Sequence, residues 1–297
     1  MFNKYRSQQF KFYNDHRKLL EEKKEVIIGL EKHFAEELQK IIEKNIDRIR
    51  EEYNEASYLF PFWQNYPPEE RGRKPKGDQF PWIEVGEHVI GSKIRRLFES
   101  KYSVFDYGLP TGADERFVLK GELVQRVTSG LTDSCWLFVD IKSVGPRDDF
   151  PHAVLSHNQV SGDGLWIRDG EGLKNTVISA KGKRTEHEFH CTLPPIYILS
   201  DGTMAPVVTI IVKPVYRMLS LGKGELKTGQ PLDRIGIITV PNGILLGGKE
   251  GYLRKYPGLF FPGKDDKEKD PLKVRARISF DLLKKIADWR VKYILAQ

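Results

Sequence analysis

The most informative hydrophobic pattern in the chain is the run from Cys135 to Val144, CWLFVDIKSV. Its first half is apolar and rich in β-branched and aromatic residues, which predicts a buried strand. Asp140 and Lys142 interrupt that pattern, and because strand side chains alternate, both fall on the face that Phe138 occupies. Buried charges are costly unless they are compensated. The pair therefore predicts a metal ion, a phosphate or further charges at the end of a central strand.

Helical periodicity marks both ends of the chain. Apolar residues recur every three or four positions over residues 15–53, which predicts one long helix or two helices joined near Gly29. A further helix is predicted over residues 84–101 and a last one over residues 281–295. Residues 58–82 combine prolines, aromatic rings and basic residues, a composition that excludes regular helix or central strand.

Short apolar runs predict the strands of a sheet. Beyond the opening run, strands are expected over residues 117–119, 196–199, 207–215, 235–240 and 273–280. Residues 145–190 predict loops and edge strands. Mixed strands with helices at both ends of the chain predict one α/β domain over residues 1–297, built on a central mixed β-sheet flanked by helices, with a helical segment at residues 1–55.

Charge and cysteine content narrow the class of protein only slightly. Lys plus Arg outnumber Asp plus Glu by 48 to 41, which is compatible with an anionic partner without demonstrating one. No apolar run approaches the ~18 residues of a membrane span, and the first residues lack the apolar stretch of a signal peptide. Cys135 and Cys191 make no disulfide framework, so a cytoplasmic location is predicted.

The chemistry of the opening strand requires a second carboxylate, and Asp114 is the candidate because it stands between a Gly/Pro turn and a strand. Two carboxylates and the carbonyl of Ile141 would make an oxygen-rich site for Mg²⁺. A metal-bound water is then the nucleophile for hydrolysis of a phosphodiester. Lys142 would hold or deprotonate that water, with its pKa lowered by the metal and by burial. A structural ion pair between Asp140 and Lys142 remains the alternative at this point.

Three other patterns are set aside. Residues 243–249 have P-loop spacing, but Glu250 stands where a magnesium-binding Ser or Thr is required, so no nucleotide cofactor is expected. The residues His187, Glu188, His190 and Cys191 lack a second ligand cluster for zinc. Glu87 is interpreted as a carboxylate on a helix surface, with a role near the metal as the alternative.

The arrangement Asp114 … Asp140-Ile141-Lys142 resembles the catalytic core of the PD-(D/E)xK nucleases. More narrowly, nearly the whole chain resembles the BglI family of type II restriction endonucleases. The stretches that carry the resemblance are YNEASYLFPFWQNYPP, GDQFPWIEVGEHVIGSK, GLPTGADER, FVDIKSVGPRD, HNQVSGDG, PPIYILSDGTMAPVV and FPGKDD. Ala113 precedes Asp114 where the broad pattern has proline, a departure that leaves the metal role intact.

The resemblance implies a restriction-endonuclease-like fold and a homodimer that cuts both strands of duplex DNA at GCCNNNNNGGC. It implies Mg²⁺ as cofactor, two ions per active site, with Mn²⁺ or Ca²⁺ able to substitute, and no nucleotide or membrane partner. It assigns Asp114, Asp140 and Lys142 to the catalytic centre. Residues 260–297 would form a base-reading loop and strand followed by a C-terminal helix. Base reading is assigned to Asp148, Lys264, Asp266, Arg275 and Arg277.

The residues themselves favour the same interpretation of the last strand. In residues 273–280 strict alternation places Arg275 and Arg277 on one face and apolar residues on the other. Arg and Lys pair with guanine and Asp accepts from cytosine, so this set suits G·C pairs. The alternative is that the arginines only pair with Asp265, Asp266 or Asp270. Three other functions stay open: a structure-selective repair nuclease of the same core, a non-catalytic DNA-binding protein and a carboxylate-pair glycosidase.

Overall fold

The computed structural model describes residues 2–63, 86–107, 112–145, 149–168, 172–175, 177–183, 185–217, 231–263 and 274–296. Most of the proline-rich segment predicted over residues 58–82 lies outside these ranges. Among the described residues, no helix is both long and apolar enough to cross a membrane. Cys135 and Cys191 are free and buried.

A seven-stranded sheet organises the chain. Its strands are β1 (Ser103–Phe105), β2 (Glu115–Lys120), β3 (Ser134–Ile141), β7 (Ile196–Ile198), β8 (Met204–Tyr216), β9 (Leu232–Val240) and β12 (Val291–Leu295). The order across the sheet is β1-β2-β3-β8-β9-β12, and β7 pairs with β8. β3 and β8 run parallel, and the other neighbours are antiparallel, so the sheet is mixed as predicted.

The opening strand is buried along its whole length, and its alternation divides the core in two. Leu137, Val139 and Ile141 pack on the helical side of the sheet. Trp136 and Phe138 pack on the other side, the side to which Asp140 belongs by alternation. The face that the sequence predicted for Asp140 and Lys142, the one shared with Phe138, is therefore the non-helical side of the sheet at the end of β3.

Two helices, α2 (Lys24–Lys44) and α3 (Ile46–Trp63), cover the first side. The preceding helix, α1 (Phe2–Glu22), packs against α2 and β7. The breaks fall at Lys23 and Asn45, whose backbone angles leave the helical region, and the predicted join near Gly29 is wrong. Gly29 lies inside α2. A Cβ at this position would make only an ordinary contact with Val127, at 3.7 Å.

The second predicted helix is divided into a π-helical turn, Glu87–Gly91, and α4 (Ser92–Glu99). A short α5 (Glu122–Val127) follows β2, and two further short helices, α6 (Gly243–Leu246) and α7 (Tyr252–Lys255), follow β9.

The predicted C-terminal helix over residues 281–295 is wrong beyond its first half. α8 (Phe280–Ile286) ends at Ala287, whose φ of −165° and ψ of 135° are extended. Residues 291–295 form β12, which pairs antiparallel with β9. Val291 and Ile294 are the buried residues of that strand, and their spacing of three also fits a helix. A short apolar run therefore did not discriminate between the two structures.

Two smaller sheets lie beside the main one. β10 (Phe260–Phe261), β11 (Ala276–Ser279) and β4 (His152–Leu155) form one of them, in the order β10-β11-β4. β5 (Ile178–Lys181) and β6 (Glu186–Phe189) form the other, which agrees with the edge strands expected between residues 145 and 190. Their apolar residues share one core with the non-helical side of the main sheet.

A fully buried ion pair ties both ends of the chain together. Arg290 Nη2 lies 2.7 Å from Glu31 Oε2, and both side chains have no exposed surface. Glu31 Oε1 accepts a hydrogen bond of 2.6 Å from the backbone N–H of Asn242. The Arg290 guanidinium also lies over the rings of Trp289 and Tyr252. Helix α2, the loop after β9 and the segment before β12 thus meet at one buried charge pair.

Breaking this pair should destabilise the fold strongly. Arg290→Ala leaves the Glu31 carboxylate buried without its partner, so the free energy of unfolding should fall by about 3–5 kcal/mol. The double variant Glu31→Leu/Arg290→Met should lose much less than the two single apolar replacements together. Urea unfolding followed by circular dichroism measures the wild type, Arg290→Ala, Glu31→Leu, Arg290→Met and the double variant. Additive losses in the double variant would show that the pair contributes no coupling.

Candidate active site

The pairing of β2 with β3 determines where Asp114 lies. Glu115 is opposite Val139 in the antiparallel register, so the residue before β2 reaches the end of β3. Asp114 Oδ2 accepts a hydrogen bond of 2.6 Å from the backbone N–H of Ile141. The structure therefore brings Asp114 and Ile141 together, as the sequence predicted.

Asp140 and Lys142 form an ion pair at the same strand end. Lys142 Nζ lies 2.7 Å from Asp140 Oδ2; the lysine side chain is 25% exposed and the aspartate side chain only 7%. Burial raises the pKa of Asp140, the charge of Lys142 lowers it and the nearby Asp114 raises it. Two carboxylates thus share one strand end with one ammonium group.

Gln159 is a site residue that the sequence interpretation missed. Its Nε2 donates a hydrogen bond of 2.6 Å to Asp140 Oδ1. Its Oε1 accepts a hydrogen bond of 2.9 Å from the backbone N–H of Ser156, which caps the short helix His157–Gln159. The Ser-x-x-Gln spacing of residues 156–159 is a recognisable capping box. That pattern predicts the turn, but not that the glutamine amide reaches a carboxylate on another strand.

Gly112 allows the segment that carries Asp114 to approach that turn. Its φ is +122°, and a Cβ at this position would stand 2.4 Å from the carbonyl oxygen of Asn158. Only glycine meets both requirements without strain. Gly112 thus lets the segment that carries Asp114 lie close to Asn158.

The helical side of the site is held by Tyr53 and Ser143. The Tyr53 hydroxyl lies 3.1 Å from Ser143 Oγ, which joins α3 to the end of β3. Gly86 packs against the same serine, where a Cβ would overlap with Ser143 Oγ. Glu87 is half-buried at the start of the π-helical turn Glu87–Gly91. Burial is the main cause that raises the pKa of Tyr53, and the charge of Glu87 raises it further.

A cleft runs from the end of β3 to β11. Its volume is about 470 Å³, and Lys142, Arg275 and Arg277 lie on its wall. Arg275 is exposed and Arg277 half-buried, whereas Val274, Ala276 and Ile278 are buried, so the predicted alternation is confirmed over the described part of this strand. The other described residues that line the cleft are Ser143, Val144, Gly145, Phe150, His152, Ala153, Val154, Lys213 and Tyr216. None of the lining residues in the described ranges is acidic.

Lys213 is a buried cation that anchors the segment between β3 and β4. Its Nζ lies 3.1 Å from Asp149 Oδ1 and donates a hydrogen bond of 2.8 Å to the carbonyl oxygen of Phe150. Asp149 also pairs with Arg234. The chain that follows residues 146–148 is thereby attached to β8 and β9 at the centre of the sheet.

Several predicted residues cannot be placed. Asp148, Lys264 and Asp266 lie outside the described residues, as do the basic residues 71–76 and the Gly/Pro turn of residues 108–111. Asp265 and Asp270, the acids expected to compete for the arginines, also lie outside. The structure therefore brings together Asp114, Asp140, Ile141 and Lys142, and places Arg275 and Arg277 on the same cleft.

The donor atoms at the strand end suit a hard divalent cation. Asp114 and Asp140 supply carboxylate oxygens and Ile141 a carbonyl oxygen, which is the chemistry that Mg²⁺ prefers. Burial is the main cause that raises the pKa of Asp140, the charge of Asp114 raises it further, and a bound cation would relieve the repulsion between the two carboxylates. Within the described ranges, no group of three or more His, Cys, Asp and Glu side chains could hold a metal. His187, part of the zinc pattern, instead donates a hydrogen bond of 3.0 Å to the carbonyl oxygen of Arg275.

Known proteins resemble this chain over its whole length. A family model described as restriction endonuclease BglI matches residues 8–294. The type II restriction enzyme BglI of Bacillus subtilis is 47% identical over 290 residues, which cover 96% of each chain. The crystal structure of the restriction endonuclease BglI bound to its DNA recognition sequence superposes with a TM-score of 0.91 at 46% identity and covers 100% of both chains.

A more distant structure shares the fold. The tetrameric restriction endonuclease SfiI bound to cognate DNA gives a TM-score of 0.59 at 14% identity, covering 90% of this chain and 83% of that one. At such low identity the likeness concerns the fold alone. Together the superpositions confirm the predicted restriction-endonuclease-like α/β fold.

Replacing the buried carboxylate should stabilise the metal-free protein. Because burial raises the pKa of Asp140 above its ordinary value of 3.8, the ionised group destabilises the folded state at any pH above that value. Asp140→Asn should therefore raise the melting temperature at pH 7 to 8, and the gain should disappear below pH 3.8. Asn keeps an acceptor for Gln159.

Thermal unfolding in the presence of a chelator measures this effect, with Asp15→Asn as the matched change at an exposed position. A lower melting temperature for Asp140→Asn at neutral pH would contradict the prediction, since it would mean that attraction to Lys142 outweighs the cost of burial.

Proposed function

The chain belongs to the restriction endonuclease BglI family, and on that premise we propose that it cuts duplex DNA at the interrupted palindrome GCCNNNNNGGC. It is a type II restriction endonuclease, a metal-dependent hydrolase that breaks phosphodiester bonds of double-stranded DNA at a specific sequence. The observation that carries the proposal is the convergence of Asp114, Asp140 and Lys142 beside a cleft with an arginine-bearing wall.

The proposed catalytic centre comprises Asp114, Asp140, Ile141 and Lys142. The two carboxylates and the carbonyl of Ile141 would hold Mg²⁺, two ions per site, and Mn²⁺ or Ca²⁺ could occupy the same site. The bound metal supplies a water of lowered pKa and stabilises charge on the phosphate. Lys142, already beside Asp140, holds the attacking water or accepts its proton. Gln159 keeps the Asp140 carboxylate in one orientation through its amide.

We further propose that Arg275 and Arg277 read bases, together with Asp148, Lys264 and Asp266. The two arginines share a cleft with Lys142, so base contacts and the scissile phosphate fall within reach of one DNA duplex. Bidentate contacts from arginine to guanine suit the G·C pairs of the proposed site. The exposed guanidinium of Arg275 and the half-buried one of Arg277 are both accessible from the cleft.

The assembly proposed is a homodimer of single-domain subunits in the cytoplasm. A palindrome has two-fold symmetry, which a symmetric dimer matches by reading one half-site and cutting one strand per subunit. Helix α2 packs on the sheet to which the last strand, β12, also belongs, so both ends of the chain contribute to one core. Two free buried thiols are compatible with a reducing compartment.

Digestion of DNA of known sequence with Mg²⁺ tests the activity and the recognition site together. Wild-type protein should give discrete fragments whose sequenced ends all fall within GCCNNNNNGGC. Asp140→Ala should cut slower by about a hundredfold or more, because it removes a metal ligand, and should still bind the same duplex.

Asp15→Ala, the same change at an exposed position, is the matched control and should cut like the wild type. Fragment ends at another sequence would overturn the proposed site while leaving the enzyme class intact. Selective cutting of branched duplexes would favour a repair nuclease, and cleavage by Asp140→Ala at the wild-type rate would overturn the catalytic assignment.

A further inference from the structure

The guanidinium of Arg277 is held by a histidine from the neighbouring strand. Arg277 Nη1 lies 3.0 Å from His152 Nε2. β11 and β4 pair antiparallel, with Arg277 opposite Val154 and Ser279 opposite His152, so the two side chains are diagonal neighbours on the face that lines the cleft. Diagonal pairs on one face of a sheet are within reach of long side chains.

The contact fixes the protonation state of the histidine. A guanidinium has donors only, so Nε2 of His152 must be the acceptor and therefore carries no proton. The imidazole is then neutral, with its proton on Nδ1. A side chain without an acceptor at this point would leave the Nη1 donor of Arg277 without this bond.

Two aromatic rings hold the imidazole in place. Phe150 stacks on His152 with ring centroids 5.2 Å apart and planes at 9°. Phe261 packs edge-on against the His152 imidazole, with ring centroids 5.4 Å apart and planes at 79°. Phe261 is opposite Arg277 in the pairing of β10 with β11. The carbonyl oxygen of Phe150 accepts the hydrogen bond from the buried Lys213. The histidine is thus fixed to the central sheet through Phe150.

We propose that His152 is a positioning residue for sequence recognition, which presents Arg277 to its base pair in one orientation. The proposal rests on the base-reading role of Arg277 put forward above. An arginine side chain loses much rotamer freedom when it binds, and pre-orientation avoids part of that cost. His152 therefore acts on discrimination at one position of the half-site and makes no contact with the reacting phosphate.

The test compares His152→Phe, His152→Gln, Arg277→Ala and the double variant His152→Phe/Arg277→Ala. Phe keeps a ring between Phe150 and Phe261 but has no acceptor, whereas Gln places an amide oxygen close to the position of Nε2. The measurement is kcat/KM on the cognate duplex and on duplexes with each base pair of the half-site replaced in turn. His190→Phe, a matched change outside the cleft, is the control.

We expect His152→Phe to lower discrimination about fivefold to tenfold, at the same base pair where Arg277→Ala acts and at no other. His152→Gln should stay within about twofold of the wild type, and the double variant should equal Arg277→Ala alone. A merely structural role would lower the melting temperature and the rate on every duplex alike. If His152→Phe does not fold, His152→Met serves the same comparison.

The outcomes separate the two claims. Wild-type discrimination in Arg277→Ala would overturn the base-reading role and the positioning role with it. A position-specific loss in Arg277→Ala combined with wild-type discrimination in His152→Phe would overturn the positioning role alone. Additive losses in the double variant, or equal losses on all duplexes, would also overturn it.

Discussion

A carboxylate buried on a fully buried strand is the constraint on which the rest of the site depends. Asp140 lies on β3, where every neighbour along the strand is buried, and burial raises its pKa. Such a group persists only if its surroundings compensate it. Lys142 and Gln159 each contact one of its oxygens, and Asp114 adds a second negative charge that a cation can balance. Under the function proposed above, a bound metal would balance the charge of this destabilising group.

The proposed catalytic centre and the proposed base-reading residues Arg275 and Arg277 are attached to the same central sheet. After the end of β3, Lys213 attaches residues 149–150 to the central sheet before β4 begins. β4 then pairs with β11, which carries Arg277 and directly follows Arg275. The proposed base-reading residue Arg277 is thus connected to the end of β3 through a segment that Lys213 anchors. This continuity explains why the cleft contains both Lys142 and the arginines.

The sequence predicted what depends on local alternation and failed where distant contacts decide. Asp114, Asp140 and Lys142 were predictable because β2 and β3 pair in the register that their patterns require, and Arg277 because β11 alternates. Gln159 and His152 were missed, because their partners lie on other strands and no local pattern reports such contacts. Residues 291–295 were assigned to a helix because Val291 and Ile294 fit either period. The break at Lys23 has no side-chain cap that the sequence could have shown. At Asn45 the side-chain amide donates a hydrogen bond of 2.7 Å to the carbonyl oxygen of Ile41, a helix-ending contact that the sequence interpretation missed.

Binding of Mn²⁺ by electron paramagnetic resonance tests the central claim most directly, since it detects the metal at equilibrium and independently of cleavage. The account predicts saturable binding to the wild-type protein and to Glu122→Gln, an exposed carboxylate change. Asp114→Asn and Asp140→Asn should each weaken that binding by at least about tenfold, because each removes a charged ligand. Affinity equal to the wild type in both variants would contradict the account and leave Asp140 and Lys142 as a structural ion pair.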